Sequence, residues 1–213
     1  MRKNRTTSII VLLITSLLVF LVTRDFFLNF ASNFPIVAGF IKFFFLATIG
    51  DFIGLRIKNK SWKKPNYLFA RAAIWGFIGS AIVLMFNIYP IGVEYLQANM
   101  ILPFVGSTLA FALFTSILLN LTFAPTMMAF HRITDTYLNL RVSNKKVTLS
   151  ETIEDVNWNQ FVGFIVLKTI PFFWIPAHTI TFLLPSEYRV IFAALLGIVL
   201  GLILGLFNKQ KSI

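Results

Sequence analysis

Four ionisable side chains stand inside long apolar runs of the sequence: Lys42, Asp51, Arg71 and Lys168. An ionisable group inside a bilayer is costly, so it is usually paired or lines a wet cavity. Asp51 lies five residues before the basic turn that begins at Arg56. Arg71 lies three residues after the start of the next apolar run. Antiparallel neighbouring helices would bring both to similar depth, which predicts an Asp51–Arg71 ion pair that either fixes two helices or takes part in catalysis or transport.

Two lysines, Lys42 and Lys168, are predicted to lie deeper in the bilayer than residues at a helix end do. Lys168 lies ten residues beyond Trp158, about 15 Å along a helix, so the lysine stem does not reach the interface completely. Together with Lys42 and Arg71 it gives three deep cations against one deep acid, which favours an anionic solute if a pathway exists. Alternatively, each cation meets helix-end carbonyls or a polar neighbour such as Asn120. His178, near the end of the same run, either titrates at a pore mouth or is a packed histidine.

Signals for catalysis or for a metal site are absent from the sequence. The chain has no cysteine, which excludes disulfides, thiolate zinc sites and cysteine nucleophiles. His131 and His178 are its two histidines, too few for a histidine-rich metal site. No phosphate-binding glycine loop, paired carboxylate set or nucleophile elbow occurs. We therefore expect neither enzyme activity nor a cofactor nor a metal.

Composition indicates a membrane protein. Of the 213 residues, 57% are hydrophobic and only 13% are charged, about half of the usual charged share of a soluble domain. The net charge of +11 would suggest nucleic-acid binding in a soluble protein. Most lysines and arginines here flank apolar runs, where they set membrane orientation, so we expect the lipid bilayer as the partner and no nucleic acid.

The apolar runs predict an all-α polytopic membrane protein with six transmembrane helices. Residues 1–33 would form an additional N-terminal anchor helix and an outer loop, because the run from Ile9 to Val22 lacks a cleavage site. Residues 34–213 would form a helical membrane domain, with residues 131–157 as a cytoplasmic loop that carries a short surface helix. Thr148 to Glu151 match a capping box there. The remaining segments are predicted at Phe34–Leu55, Leu68–Tyr89, Ile101–Phe130, and as a helix pair within Asn157–Phe207.

The distribution of basic residues tests this topology. With six crossings and both termini in the cytoplasm, only Arg24 and Arg189 fall in outer regions. The inner regions then hold Arg2, Lys3, Arg5, Arg56, Lys58, Lys60, Lys63, Lys64, Arg132, Arg141, Lys145, Lys146, Lys209 and Lys211. Such asymmetry supports six helices with cytoplasmic termini.

Small residues recur at four-residue spacing in three of the segments. They are Gly50 and Gly54, then Ala72, Gly76 and Ser80, and finally Gly197, Gly201 and Gly205. This spacing places them on one helix face and lets two backbones approach closely in lipid. The faces either pack inside one bundle or, on the last helix, form the seam of a homo-oligomer. Separately, Pro125, Pro171 and Pro176 remove backbone hydrogen bonds and free carbonyls that could face a cavity.

Several short motifs occur in an order that resembles the Mpv-seventeen and peroxisomal membrane protein family. They are Gly50-Asp51, Arg71 with Trp75 to Gly79, Phe123 to Pro125, Asn157-Trp158, and the corner formed by Pro185, Glu187, Tyr188 and Arg189. The resemblance covers roughly residues 34–206. The family's acidic residue before Phe-Ala-Pro is Leu119 here, and Asn120 stands where glutamine is common. The resemblance implies a small integral membrane protein, channel-like and linked to metabolite balance.

Three hypotheses of function follow. The first is a channel or metabolite-permeation pathway for small anionic solutes. The alternative is a structural or regulatory membrane protein without transport, whose intramembrane charges only lock helices. A membrane enzyme is the third. The N-terminus resembles an anchor rather than a transit peptide, which favours the bacterial cytoplasmic membrane over an organelle membrane.

Overall fold

Helices make up nearly all of the computed structural model, which describes residues 28–59, 64–143 and 146–210. Side-chain surroundings at 57–59, 198 and 200–210 lie outside that description. No β-strand occurs in the described ranges. The α-helices are α1 (Pro35–Asn59), α2 (Leu68–Ala98), α3 (Thr108–Leu118), α4 (Ala124–Ser143), α5 (Leu149–Asp155), α6 (Trp158–Gln160), α7 (Ile175–Leu183) and α8 (Ser186–Gln210). Two π-helical segments are also present, π1 (Leu119–Phe123) and π2 (Phe161–Trp174).

Four helical stretches are long and apolar enough to cross a membrane: Pro35–Arg56, Leu68–Ala98, Thr108–Ser143 and Trp158–Leu183. The all-α prediction is confirmed for the described residues, and the length and composition of these stretches are compatible with an integral membrane protein. The predicted anchor within residues 1–33 lies mostly outside the described residues. Helix α8 covers the predicted last segment. Six crossings and the orientation of the termini remain predictions.

The helices pack in two main groups that share one core. Helix α1 packs against α2 and α8, while α3 packs against α7 and also contacts α2. Large side chains from several of these helices meet in the interior, namely Phe43, Ile78, Ile82, Phe86, Leu119 and Phe182. Because lipid is as apolar as these side chains, close packing rather than the hydrophobic effect must hold the helices together in a bilayer.

Helices α1 and α2 approach each other closely at three glycines, Gly39, Gly76 and Gly79. A Cβ atom on Gly79 would lie 2.5 Å from the backbone oxygen of Gly39 and 2.6 Å from Cβ of Phe43. At Gly76 a Cβ atom would lie 2.7 Å from the ring of Phe40. Ser80 Oγ donates a hydrogen bond to the carbonyl of Ile36 at 3.1 Å. The stripe of small residues on α2 thus packs inside this bundle.

The other small-residue faces are open where the structure describes them. A Cβ atom on Gly54 or Gly197 would meet nothing within 4 Å. Gly50 is half-buried. The surroundings of Gly201 and Gly205 lie outside the described side chains, so a homo-oligomer seam on the last helix stays a prediction.

Helix α4 continues well past the predicted boundary. The sequence places a polar loop from residue 131 onward, but α4 runs to Ser143. Its polar side chains have partners on α2: Asp135 forms an ion pair with Arg71, and Asn139 accepts a hydrogen bond from the same guanidinium. These contacts compensate for the low hydrophobicity of this stretch, which misled the boundary prediction.

The short surface helix α5 has the predicted capping box. Thr148 Oγ1 accepts from the backbone N–H of Glu151 at 3.3 Å, and the Glu151 carboxylate accepts from the backbone N–H of Thr148 at 2.7 Å. Two N–H groups that the helix itself leaves free are therefore satisfied reciprocally. These bonds also hold the pKa of the Glu151 carboxyl below its ordinary value.

Replacing Thr148 with alanine is expected to destabilise α5 by about 1 kcal/mol, because the N-cap acceptor is lost. Amide hydrogen exchange of residues 149–155 would measure the effect as lower protection factors. Ser150→Ala is the matched control, since Ser150 Oγ bonds only to the Glu154 carboxylate at the helix surface. In the wild type, protection should also fall as the pH drops through the lowered pKa of Glu151. Equal losses in both variants would contradict the capping role.

Candidate functional site

Two π-helical segments in the middle of the apolar spans position a buried polar cluster. Segment π1 ends just before Pro125, and Pro171 lies within π2. A proline lacks the N–H for the α-helical ladder, and its ring crowds the carbonyl four residues earlier. A local π-helical turn relieves this crowding and changes which side chains face the neighbouring helix. Such turns occur often at functional sites.

Asn120 and His178 meet in this region, although they are 58 residues apart in sequence. Asn120 is completely buried and lies within π1, while His178 lies in α7. His178 Nδ1 is 3.0 Å from Nδ2 and 3.2 Å from Oδ1 of Asn120. The imidazole therefore accepts from the amide in one tautomer and donates to it in the other. We call Ser116, Asn120, Trp174 and His178 the buried cluster.

Ser116 ties the cluster to both of its helices. Its Oγ donates to the carbonyl of Ile175 at 2.7 Å, a bond that joins α3 to α7. Asn120 Nδ2 donates to the carbonyl of Ser116 at 2.8 Å. The Ile175 carbonyl also accepts from Thr179 Oγ1 at 2.8 Å, so it receives side-chain donors from both α3 and α7. The carbonyls that Pro171 and Pro176 would free lie four residues before each proline, at Leu167 and Phe172, and their exposure to a cavity stays a prediction.

Aromatic rings enclose the histidine on two sides. The indole of Trp174 stacks on the imidazole with ring centroids 5.2 Å apart, and Phe86 contacts it edge-on at 5.7 Å. The indole nitrogen of Trp174 is buried and has no hydrogen-bond partner among the described residues. A buried N–H without a partner usually indicates an acceptor that binds there, such as water or a solute oxygen.

The cluster is polar but uncharged in its contacts. Among the described residues, no lysine, arginine, aspartate or glutamate hydrogen-bonds to Ser116, Asn120 or His178. In the same ranges, no group of three His, Asp or Glu side chains is placed to hold a metal ion. The arrangement can donate to and accept from a small polar molecule at the centre of the bundle.

The two deep lysines lie away from this cluster. Lys168 is exposed on the surface of the described bundle, and Lys42 is half-buried on α1. Neither ammonium has a hydrogen bond or ion pair within the described ranges. Of the four predicted pathway residues, the fold therefore brings together Asn120 and His178 and leaves Lys42 and Lys168 apart.

A second polar group lies at the end of the bundle where α2 begins, and it corrects the predicted ion pair. Arg71 pairs with Asp135 of α4 and donates to Asn139 Oδ1 at 2.7 Å and to the carbonyl of Asn66 at 2.9 Å. It does not form an ion pair with Asp51. We call Arg71, Asp135 and Asn139 the arginine hub. Asp135 was missed because its stretch was predicted to be a loop.

Asp51 has a different partner. Its Oδ2 accepts from the indole N–H of Trp75 at 3.0 Å. The same indole stacks on His131 of α4, with ring centroids 4.2 Å apart. Trp75 thus links α1 to α4 through α2, directly beside the arginine hub. Asp51 lies near enough to Arg71 to interact with it electrostatically, but its carboxylate accepts its hydrogen bond from the indole N–H of Trp75.

The corner before α8 is held by hydrogen bonds within itself. Pro185 O accepts from the backbone N–H of Tyr188 at 3.0 Å, and Arg189 Nε donates to the carbonyl of Leu184 at 2.9 Å. Glu187 lies in the first turn of α8 and its carboxylate accepts from Ser186 Oγ at 3.3 Å. The corner is far along α2 from the arginine hub, since Arg189 lies beside Pro90.

No family model, curated protein or solved structure matches the chain. The resemblance to the Mpv-seventeen family therefore remains a prediction from the motifs.

Ser116 and Trp174 are the cluster residues that sequence reasoning missed. A usable signal existed, because Ser116 precedes Asn120 by four residues and Trp174 precedes His178 by four. Residues at that spacing share a helix face. Each of the two pairs lies in an apolar run beside a proline. Such pairs indicate that the helix face with Ser116 and Asn120 packs against the face with Trp174 and His178.

Proposed function

We propose that this integral membrane protein forms a permeation pathway for small polar solutes, with the buried cluster as its constriction. One observation carries the proposal. The buried indole N–H of Trp174, at the end of π2, has no partner among the described residues and lies beside a buried Asn–His pair whose asparagine is in π1. Polar groups at membrane depth are costly and commonly mark solute pathways. Hydrogen-bonding groups that line a constriction can replace part of the water shell of a passing solute.

The predicted preference for anions has less support than permeation itself. It rests on Lys42, Arg71 and Lys168. Arg71 is paired with Asp135, and Lys168 lies on the exposed surface rather than at the cluster. The cluster offers neutral donors and acceptors, which suit uncharged polar solutes as well as anions. We therefore keep the anion preference as a separate proposal, to be decided by measuring chloride and glycerol side by side.

Flux into proteoliposomes tests the pathway. The wild-type protein is expected to carry glycerol or chloride faster than protein-free vesicles of the same lipid. Asn120→Leu should lower that flux about tenfold, because the solute loses hydrogen bonding of the order that a single buried polar group provides. Thr126→Val is the matched control, since this exposed hydroxyl bonds only within its own helix.

Absence of wild-type flux above the empty vesicles would contradict the proposal. Equal flux through Asn120→Leu and Thr126→Val would remove the cluster from the pathway. A fall in chloride but not glycerol flux in Lys168→Met would assign the lysine to an anion pathway. Circular dichroism of each variant must first show wild-type helicity.

A second candidate function is supported by the arginine hub. Asp135 and Asn139 of α4 both contact the Arg71 guanidinium, and Trp75 adds Asp51 of α1. Three helices are thereby joined through polar groups, as expected of a structural or regulatory membrane protein without transport. That alternative predicts no flux from folded wild-type protein.

We further propose six crossings with both termini in the cytoplasm, in a bacterial cytoplasmic membrane. The concentration of basic residues at alternate chain segments supports this topology. A homo-oligomer through the last helix is compatible with the open face at Gly197. Membership of the Mpv-seventeen family is supported by the order of the short motifs alone.

A further inference from the structure

A groove between the second half of α2 and the start of α8 combines a cation with apolar walls. Its volume is about 140 Å³, several times the roughly 30 Å³ that one water molecule occupies in the liquid. Arg189, Ser186 and Asn87 supply its polar groups, and Phe86, Pro90 and Ile91 are among its apolar walls. Neither the buried cluster nor the arginine hub uses Arg189 or Ser186, so this groove is a separate feature.

The guanidinium of Arg189 is held in place but keeps donors free. Its Nε donates to the carbonyl of Leu184, and its Cζ lies 5.6 Å from the ring centroid of Phe182. Within the described residues the two terminal nitrogens have no hydrogen-bond partner, and Arg189 forms no ion pair. A fixed arginine with two free nitrogens is suited to bidentate binding of a phosphate group.

Two carboxylates lie at the edge of this groove. Glu94 follows the groove residue Pro90 by four positions and so shares its face of α2, and the Glu187 carboxylate lies 3.3 Å from Oγ of the groove residue Ser186. Both act electrostatically on the Arg189 guanidinium. A purely anionic ligand would be repelled by these groups. A ligand that carries a phosphate and an ammonium would instead match the arginine and the carboxylates at once.

The surroundings favour a lipid over a free ion. Ile88, Ile91 and Tyr95 near the groove are 56–66% exposed, in a helix that is long enough to cross a membrane. Acyl chains would cover this apolar surface, whereas inorganic phosphate would gain nothing from it. Phe86 and Ile91 lie 18 and 23 residues after Leu68, about 27 and 35 Å along α2, which is close to the roughly 30 Å thickness of the hydrocarbon core. With Leu68 at one face of the bilayer, the groove therefore falls close to the head-group level of the other face.

We propose that this groove binds a phospholipid with an amine-bearing head group, such as phosphatidylethanolamine. The Arg189 guanidinium receives the phosphate, Glu94 and Glu187 face the ammonium with the Ser186 hydroxyl bonded to Glu187, and the chains lie along α2. The site is independent of the permeation pathway proposed above.

Native mass spectrometry of the full-length protein in detergent micelles tests this site. Phosphatidylethanolamine, phosphatidylglycerol and inorganic phosphate are titrated separately. Phosphatidylethanolamine should bind most tightly. Arg189→Gln should weaken its binding about tenfold, as expected for loss of a charge-assisted hydrogen-bond pair. The Glu94→Gln, Glu187→Gln double variant should abolish the preference for phosphatidylethanolamine over phosphatidylglycerol.

Two further variants keep the test decisive. Ser186→Ala removes the exposed hydroxyl that donates to the Glu187 carboxylate and should weaken phosphatidylethanolamine binding about threefold, even if Arg189→Gln does not fold. Lys64→Gln removes an exposed cation at the opposite end of α2 and should leave binding unchanged. The proposal is overturned if Lys64→Gln has the larger effect, if phosphatidylglycerol binds as tightly as phosphatidylethanolamine in the wild type, or if inorganic phosphate displaces the lipid.

Discussion

Replacing Gly79 with leucine is expected to force α1 and α2 apart and to destabilise the fold by about 3 kcal/mol or more. Even the first added carbon would lie 2.5 Å from the carbonyl oxygen of Gly39. The obstacle is backbone, which cannot rotate away as a side chain could. The core residue Phe43 would be displaced as well, since its Cβ atom lies 2.6 Å from the same position.

Gly92→Leu is the matched control for this change. Gly92 lies on the same helix, and a Cβ atom there would meet no atom of the described residues within 4 Å. Thermal unfolding in detergent, followed by circular dichroism, should show a large fall in Tm for Gly79→Leu and a small change for Gly92→Leu. Gly79→Ala should fall between them. Similar Tm values for all variants would mean that the α1–α2 contact does not limit stability.

The sequence anticipated elements better than it anticipated contacts. Apolar runs and their basic flanks located the four spans, and Thr148 with Glu151 located α5 and its cap. Both signals are local, because helix formation and capping depend on residues a few positions apart. Packing between helices decides which face of one helix contacts its neighbour. The periodicity of a single helix does not contain this information.

Gly39 illustrates the limit at a packing contact. It has no small residue four positions away in either direction, so the spacing rule passed over it. Its importance arises from Gly79 on the other helix, whose backbone it contacts closely. A pattern within one helix cannot reveal a pair of glycines on two helices.

The buried cluster shows the same limit at the candidate site. Asn120 and His178 could each be named as polar residues at depth, but their contact depends on the faces set by π1 and the Pro176 region. A π-helical turn shifts the register of a helix face, so regular α-helical periodicity misplaces such residues. Lys168 was singled out for its depth alone. Depth does not say which face of a helix a residue occupies, and in the structure Lys168 is exposed and lies outside the cluster.

Polar contacts at the two sites suggest different roles within one bundle. The buried cluster uses neutral groups and leaves an indole N–H without a partner among the described residues. The arginine hub instead uses a full charge, and each nitrogen of its guanidinium has a protein acceptor. A saturated charge mainly fixes geometry, and an unsatisfied donor invites a ligand. Substitutions in the buried cluster should therefore change solute flux, while substitutions in the arginine hub should change the free energy of unfolding.

Removing the Arg71 side chain is expected to have the second large effect. Arg71→Met loses the ion pair to Asp135 and the bonds to Asn139 and Asn66, and it leaves the Asp135 carboxylate without its cation. The side chains of Arg71 and Asp135 are only 14% and 33% exposed. We expect a loss of about 3 kcal/mol, at the lower end for breaking a buried pair because water reaches the aspartate. Thermal unfolding in detergent measures it, with Arg132→Met as the control.

A double-mutant cycle separates the true pair from the one that depth alone predicted. Asp135→Asn should cost about 1.5 kcal/mol by itself and little more in the Arg71→Met background, a coupling of about 1 kcal/mol. Asp51→Asn should couple more weakly to Arg71→Met, because the Asp51 carboxylate bonds to Trp75 and not to the guanidinium. A larger coupling with Asp51 than with Asp135 would restore the original pairing and contradict the hub. A smaller coupling of Arg71 with Asp51 than with Asp135 would establish that α4, rather than α1, is held to α2 by an ion pair.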